Sequence, residues 1–143
     1  LAELAVVEAS GPEPFTLLAR CCANLGRLSE ARNWVDQAIA RAKLNPGLHY
    51  LRATILQEQG DYADAAGSLK RTLYLDPDFV LAHFGLAHLE LRRKQSRLAA
   101  KHFENVLSLL NPHPPESVLP ESDGMTAGRL REIVRTTVRS VAV

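Results

Sequence analysis

The sequence contains few of the residues that usually mark a chemical site. Only two of its 143 residues are cysteine, and they are adjacent, at Cys21 and Cys22. Adjacent cysteines exclude a disulfide framework and offer no spaced pair of zinc ligands. We expect both to be small apolar residues on a buried helix. The five histidines show no metal-binding spacing, so no metal site is predicted; they are His49, His83, His88, His102 and His113.

An excess of charge of either sign and long apolar runs are also missing. Seventeen basic and sixteen acidic residues leave a formal charge of +1, which gives no general attraction to nucleic acid or anionic lipid. No run approaches the roughly 18 apolar residues that a membrane span needs, and no leader pattern is present. With 46% hydrophobic and 23% charged residues, the composition is globular. We therefore expect one packed domain in the cytoplasm, with no nucleic-acid binding and no membrane insertion.

The most informative pattern is an internal repeat with a step of 34 residues. Two columns of alanine recur in phase, Ala19 with Ala53 and Ala87, and Ala31 with Ala65 and Ala99. Three apolar columns keep the same phase: Val35, Leu69 and Phe103; Ile39, Leu73 and Leu107; Cys21, Ile55 and Leu89. Gly26 and Gly60 share a further column, where Lys94 stands in the third unit. A glycine there favours a left-handed turn after a helix.

Within each unit the apolar spacing is that of two amphipathic helices, which we call the A helix and the B helix. Three Asx-Pro dipeptides are expected to separate the units, because an Asx can cap a following helix and proline fits its first turn. They are Asn45-Pro46, Asp76-Pro77 and Asn111-Pro112. The predicted helices cover residues 13–25, 29–42, 46–58, 62–75, 79–92 and 96–110.

The alanine columns have a direct cause, because a side chain larger than a methyl group would hold crossing A and B helices apart. At this point the sequence resembles the tetratricopeptide repeat, whose unit is a helix pair of 34 residues. The resemblance implies an all-α fold, an α-solenoid of three helix pairs plus a C-terminal capping helix. Three residues depart from the apolar pattern, namely His49, Arg52 and Glu90. The predicted segments are an N-terminal helical linker (1–11), three units within 12–112 (about 12–45, 46–79 and 80–112), a Pro-rich connector (113–125) and the capping helix (126–143).

The last segment has an amphipathic pattern, with one stripe formed by Leu130, Ile133, Val134 and Thr137/Val138. Such a stripe can cover the apolar end of a repeat stack. Its other face carries Arg129, Arg131, Glu132, Arg135 and Arg139. These arginines form either the solvated face of the cap or a docking surface for an acidic partner.

No catalytic constellation is found, so we predict that this chain is not an enzyme and holds no cofactor. A stack of helix pairs instead offers a concave wall of A helices that suits a protein or peptide partner. Tyr50, Phe84 and Leu91 are predicted apolar anchors, while Arg20, His88 and Arg92 could pair with acidic groups. The predicted partner-binding set is Arg20, Tyr50, Thr54, Gln57, Phe84, His88, Leu91 and Arg92.

One well-known ligand class of the repeat family is disfavoured. Chaperone-tail receptors hold a terminal carboxylate with a clamp of Lys, Asn and Arg. The matching places in this sequence carry Thr16, Arg20, Leu51, Leu81 and Gly85, so the clamp is absent.

A narrower resemblance rests on residues 48–53 (LHYLRA), 55–60 (ILQEQG), 73–84 (LYLDPDFVLAHF) and 119–133 (LPESDGMTAGRLREI). Together they resemble the repeat-bearing C-terminal arm of CheR-class chemoreceptor methyltransferases, with a frizzy-type methyltransferase of a gliding bacterium as a natural parent. The resemblance implies an upstream catalytic domain that methylates receptor glutamates with S-adenosylmethionine. The chain would then be a regulatory arm in bacterial chemotaxis signalling, whose partner is a chemoreceptor cytoplasmic region or the parent's own catalytic domain. A free-standing repeat scaffold in assembly or secretion is the alternative.

Overall fold

The computed structural model describes residues 11–142, with side chains as far as residue 140, so residues 1–10 of the predicted linker (1–11) lie outside the described part. Seven helices lie in this part of the chain: α1 (Glu13–Asn24), α2 (Leu28–Arg41), α3 (Pro46–Glu58), α4 (Tyr62–Leu75), α5 (Val80–Arg92), α6 (Ser96–Leu110) and α7 (Ala127–Ala142). Two compact units are present; the first ends at Asp76 and the second begins at Pro77. The first contains α1 to α4, and the second contains α5 to α7.

In the first unit, α1 packs against α2, α2 against α3, and α3 against α4. The alanine columns lie where the helices approach each other. Ala19 and Ala31 are fully buried and share one core cluster with Val35, Leu51 and Ile55. The burial of these small side chains confirms the reason inferred for their recurrence.

The turn that joins each A helix to its B helix is built in the same way all three times. Gly26, Gly60 and Lys94 all have a positive φ, of 77°, 81° and 59°. In the second turn the amide of Asp61 donates to the carbonyl oxygen of Leu56 at 2.9 Å, which closes the helix end as in a Schellman motif. Lysine therefore adopts in the third turn a backbone conformation that glycine adopts more easily.

The Asx-Pro dipeptides behave less uniformly than predicted. Asn45 caps α3, since its side-chain oxygen accepts from the amide of Gly47 at 3.0 Å and Pro46 is the first residue of the helix. Asp76 instead ends α4, and α5 begins only at Val80. No helix starts at Pro112. Only the first dipeptide therefore caps a following helix, whereas Asp76 and Asn111 each follow the last residue of a helix.

In the second unit, α5 packs against α6, and α7 packs against α6. Leu130 and Val134 of α7 are fully buried, in agreement with the predicted apolar stripe. Arg131 was placed on the solvated or docking face, and this was wrong. Its Nη2 donates to the carbonyl oxygen of Leu110 at 2.9 Å and approaches that of His113 at 3.4 Å. This guanidinium supplies donors to carbonyl groups at the C-terminal end of α6.

The two cysteines are a second correction. Cys21 is exposed and Cys22 is half-buried, whereas both were expected on a buried helix. Ile55, the residue of α3 that corresponds to Cys21, is buried in the core cluster that contains Val35 of α2. Among the described residues no helix precedes α1, so Cys21 has no neighbour equivalent to α2.

Candidate functional site

Four of the predicted partner-binding residues lie in the first unit. Arg20 is on α1, and Tyr50, Thr54 and Gln57 are on α3; all four are half-buried. The hydroxyl of Thr54 donates to the carbonyl oxygen of Leu51 at 2.8 Å. Because that hydrogen is used within its own helix, Thr54 offers a ligand an acceptor and a methyl group, while the phenol of Tyr50 supplies the largest apolar surface of the four.

The other four lie on α5 in the second unit. Phe84 and His88 meet edge to face, with ring centroids 4.5 Å apart. Both rings also pack against Phe103 of α6, at centroid distances of 6.3 and 5.6 Å. Burial lowers the pKa of His88 below its usual value. The structure thus makes Phe84 and His88 part of an aromatic cluster, in which His88 favours its neutral form.

The remaining two predicted residues of α5 lie near its C-terminal end. Leu91 is half-buried, and Arg92 is exposed. A cation in the last turn of a helix interacts favourably with the helix dipole. Arg92 therefore combines a place on the accessible surface with a local stabilising role, whereas Phe84 and His88 keep only part of their surface accessible.

The sequence analysis missed a polar group in the second unit, which we call the His–Glu cluster: His83, His102 and Glu90. The Nδ1 atoms of His83 and His102 are 3.2 Å apart. His102 Nε2 lies 3.4 Å from Oε1 of Glu90, and His83 Nε2 lies 2.9 Å from the carbonyl oxygen of Pro77. The signal available in the sequence was Glu90, a carboxylate at a position where the repeat favours a large apolar residue.

Arg52, another departure from the apolar pattern, also has partners that the sequence analysis did not identify. Its Nε donates to Asp36 of α2 at 2.9 Å, and its Nη1 donates to the hydroxyl of Ser68 of α4 at 2.8 Å. One arginine of α3 therefore connects three helices of the first unit. His49 is also paired, since its Nε2 lies 2.8 Å from the carbonyl oxygen of Lys43.

In the described part of the chain, each unit has an open cavity. The first, of about 310 Å³, is lined by His49, Arg52, Ala63, Asp64, Gly67, Ser68 and Arg71. The second, of about 280 Å³, is lined by Glu104, Leu107, Ser108, Asn111, Arg131 and Arg135. Neither includes any of the eight predicted partner-binding residues, which lie on helix surfaces.

Two kinds of feature are absent from the described residues. Within residues 11–142, no group of three or more His, Cys, Asp or Glu side chains could hold a metal ion. In the same part of the chain, no helix has the length and apolar character that crossing a bilayer requires. The accessible features are thus helix surfaces with aromatic, amide and basic side chains, an arrangement that can bind another polypeptide.

Comparison with known proteins agrees with this geometry. Residues 50–113 match the model of the tetratricopeptide repeat family. This match indicates the same fold as the helix pairs and the buried alanine columns. The chain has a tetratricopeptide-repeat helical solenoid fold. No curated protein matches the chain.

Solved structures share this tetratricopeptide-repeat fold at low sequence identity. The Yersinia enterocolitica type III secretion chaperone SycD, in complex with a peptide of the translocator YopD, is 15% identical with a TM-score of 0.78, and the match covers 91% of each chain. The first TPR of Spaghetti (RPAP3), bound to the HSP90 peptide SRMEEVD, is 16% identical with a TM-score of 0.69, covering 90% of this chain and 93% of that one. MamA is 16% identical with a TM-score of 0.69; the match covers 72% of this chain, which spans 60% of the MamA chain.

Proposed function

We propose that this chain is a non-catalytic protein–protein interaction module that binds a peptide or helix of its partner through A-helix residues of each unit. The observation that carries the proposal is the pair of half-buried aromatic side chains, Tyr50 on α3 and Phe84 on α5. Partly accessible aromatic residues on rigid helices are typical anchors of a protein interface. Each lies on the A helix of its own 34-residue repeat, and a repeat fold commonly uses these helices for recognition.

Charge gives the second part of the recognition. Arg20 on α1 and Arg92 on α5 place positive charge on two of the A helices. Burial lowers the pKa of His88, which therefore favours its neutral form. We infer that the preferred ligand combines apolar side chains with some negative charge. The apolar anchors would supply most of the affinity, while the arginines would set the rate of association and its salt dependence.

Two of the similar structures support a peptide as the ligand, because SycD is in complex with a translocator peptide and Spaghetti is bound to an HSP90 peptide. The mode of binding proposed for this chain excludes a terminal-carboxylate clamp. At two of the matching clamp places the side chains are Leu51, 8% exposed, and Leu81, 6% exposed. Buried leucines cannot donate hydrogen bonds to a carboxylate.

At the finer level we propose that the chain is the regulatory arm of a cytoplasmic chemoreceptor glutamate methyltransferase. The support is the sequence resemblance of residues 48–60, 73–84 and 119–133 to the arm of CheR-class enzymes. The arm would target or restrain methylation by contacting the receptor's cytoplasmic region or the parent's catalytic domain. S-adenosylmethionine would bind to that catalytic domain and not to this chain.

The alternative is a scaffold or chaperone in assembly or secretion, and one observation favours it. The similarity to SycD extends over 91% of both chains, so most of this chain has a structural counterpart in a secretion chaperone. The two proposals share the binding surface but differ in the partner.

The surface is tested by measuring binding of this chain to a purified chemoreceptor cytoplasmic fragment by calorimetry. Tyr50→Ala and Phe84→Ala should each weaken binding by about 2 kcal/mol, roughly thirtyfold, because each removes an aromatic anchor. Tyr74→Ala is the matched control, since Tyr74 is a B-helix aromatic that is 80% exposed. Circular dichroism checks that each variant folds. Equal losses for all three variants would contradict the assignment to the A helices.

The parent is tested by site-by-site methylation of the receptor. In the full-length parent, the double variant Tyr50→Ala with Phe84→Ala should change which receptor sites are methylated and leave cofactor binding intact. Wild-type chain that fails to bind the receptor fragment or the catalytic domain, together with an unchanged methylation pattern, would reject the methyltransferase arm and favour the scaffold.

A further inference from the structure

The open cavity of the first unit, of about 310 Å³, is formed by residues of α3 and α4 and is lined mostly by polar side chains. Two of these, Arg52 and Arg71, are cationic, and one, Asp64, is anionic. Asp64 also has a partner outside the cavity lining, since its Oδ2 lies 3.9 Å from Nη2 of Arg32 on α2. The lining therefore presents an excess of positive charge.

The second repeat has small residues at this cavity where the other two repeats have larger ones. The 34-residue register gives these equivalent positions: Ser68 with Trp34 and His102, and Gly67 with Asn33 and Lys101. Packing does not require the glycine, because a Cβ at Gly67 would meet nothing within 4 Å. Glycine also weakens a helix relative to alanine. Its consequence in this structure is a cavity that stays open.

Arg52 is held in place and still has hydrogen-bond donors to spare. Its Nε donates to Asp36 at 2.9 Å and its Nη1 to the hydroxyl of Ser68 at 2.8 Å. A guanidinium carries five N–H groups, so three are donated to no described residue. Because two neighbours already fix this side chain, a ligand that binds to it loses little affinity to side-chain ordering. The equivalent positions in the other repeats carry Leu18 and Leu86.

Two further donors line the cavity. Ser68 is only 5% exposed, and its hydroxyl oxygen accepts from Arg52, while its own hydrogen has no acceptor among the described residues. A buried donor without an acceptor is costly, and a ligand oxygen in the cavity would remove that cost. Arg71 is exposed and, within the described part of the chain, has no ion-pair partner.

We propose that this cavity binds the carboxylate of an aspartate or glutamate side chain of the partner polypeptide. The proposed function supplies only the premise that the partner is a polypeptide. A carboxylate is planar and accepts paired hydrogen bonds from a guanidinium, and Ser68 adds a third donor. The charged lining residues, Arg52, Arg71 and Asp64, have one positive charge in excess, which one carboxylate balances. A phosphate group, with a charge of roughly −1.5 to −2, would exceed that balance beside Asp64.

The test is a nuclear magnetic resonance titration of the ¹⁵N-labelled chain at constant ionic strength. The probe is a short, terminally blocked peptide of alanine and glutamate, and the control peptide has glutamine in place of glutamate. The glutamate peptide should give saturable shifts at the amides of Gly67 and Ser68, and the glutamine peptide should not. Arg71→Gln should raise the Kd of the glutamate peptide about tenfold, because a charged hydrogen bond is lost. Lys70→Gln is the matched control, since Lys70 is exposed and does not line the cavity; it should change the Kd less than about twofold.

Gly67→Leu tests the cavity itself. It should abolish binding and keep the fold, because leucine forms helices better than glycine and its Cβ meets nothing within 4 Å. Asn33→Leu, at the equivalent exposed position of α2, is the control and should bind as wild type does. Circular dichroism checks the fold of each variant.

Four results would overturn the proposal: no saturable shift with the glutamate peptide, equal shifts with both peptides, equal effects of Arg71→Gln and Lys70→Gln, or undiminished binding by folded Gly67→Leu. Inorganic phosphate is titrated in parallel, and tighter binding of phosphate than of the peptide would overturn the choice of a carboxylate. Phe84→Ala, in the other unit, should leave the Kd of the glutamate peptide unchanged. A failure of this cavity and a failure of the A-helix surface therefore give different results.

Discussion

Lys94 offers a direct test of the shared turn, because it adopts the left-handed conformation found at Gly26 and Gly60. Its φ is 59°, and the side chain is exposed. The same backbone hydrogen bonds surround all three turns. Here the Lys94 amide donates to the carbonyl oxygen of Leu91 at 3.0 Å, and the Gln95 amide donates to the carbonyl oxygen of Glu90 at 2.9 Å. Lys94→Gly should keep these bonds and remove the backbone strain.

The expected gain follows from two opposing contributions. A residue with a Cβ atom in the left-handed region costs roughly 1–2 kcal/mol. Glycine loses more backbone freedom on folding, which costs about 0.5–1 kcal/mol. We therefore expect Lys94→Gly to raise the free energy of unfolding by about 0.5–1 kcal/mol, as measured by urea denaturation followed by circular dichroism.

Two further variants separate backbone strain from side-chain effects. Lys94→Ala removes the charge but keeps Cβ, so it should give little or no stabilisation. Gly60→Ala should destabilise by about 1 kcal/mol, since the φ of Gly60 is 81°. The added Cβ meets nothing within 4 Å, so this cost comes from the backbone conformation and not from a clash. If Lys94→Ala stabilises as much as Lys94→Gly, the lysine side chain and not the backbone is responsible, and the reasoning fails.

Three other predictions concern packing and pH. Ala65→Leu or Ala99→Leu should each lower the free energy of unfolding by about 1–3 kcal/mol, because both sites are fully buried at a helix crossing; unchanged urea curves for both would reject the crossing. Removal of all residues after Pro115 should lower the melting temperature or cause aggregation detectable by light scattering, whereas an equally stable monomer would make α7 a binding element and not a cap. Burial lowers the pKa of His88, so the unfolded chain takes up its proton first as the pH falls, and the free energy of unfolding should decrease from about pH 6.5 downward. The decrease should be smaller in His88→Phe; an equal decrease in both proteins would show that this imidazole does not contribute.

The helices were largely predictable because the repeat presents the same pattern three times. The predicted ends of α1 to α6 agree with the structure to within one residue, and the Ala19 and Ala31 columns are buried as expected. The amphipathic pattern likewise predicted α7. Local turn chemistry and periodicity are sufficient for these features, since they depend on residues that are near in sequence.

Side-chain partners between helices were not predictable in the same way. The approach of His83 to His102 depends on how α5 and α6 are rotated against each other, which a 34-residue period does not specify. Arg131 was misjudged for a related reason, because its position on the helix predicts solvent, whereas the carbonyl groups it binds lie at the end of α6. The eight predicted partner-binding residues remain predictions.

The contact between Arg131 and the end of α6 has a consequence for how this region opens. The same connection is reinforced by the amide of Gly128, which donates to the carbonyl oxygen of Pro115 at 2.9 Å. The last turn of α6, the chain that follows it and the start of α7 cannot separate without breaking both links. Their amide hydrogens should therefore exchange with solvent in one concerted opening, and Arg131→Ala should divide that opening into two.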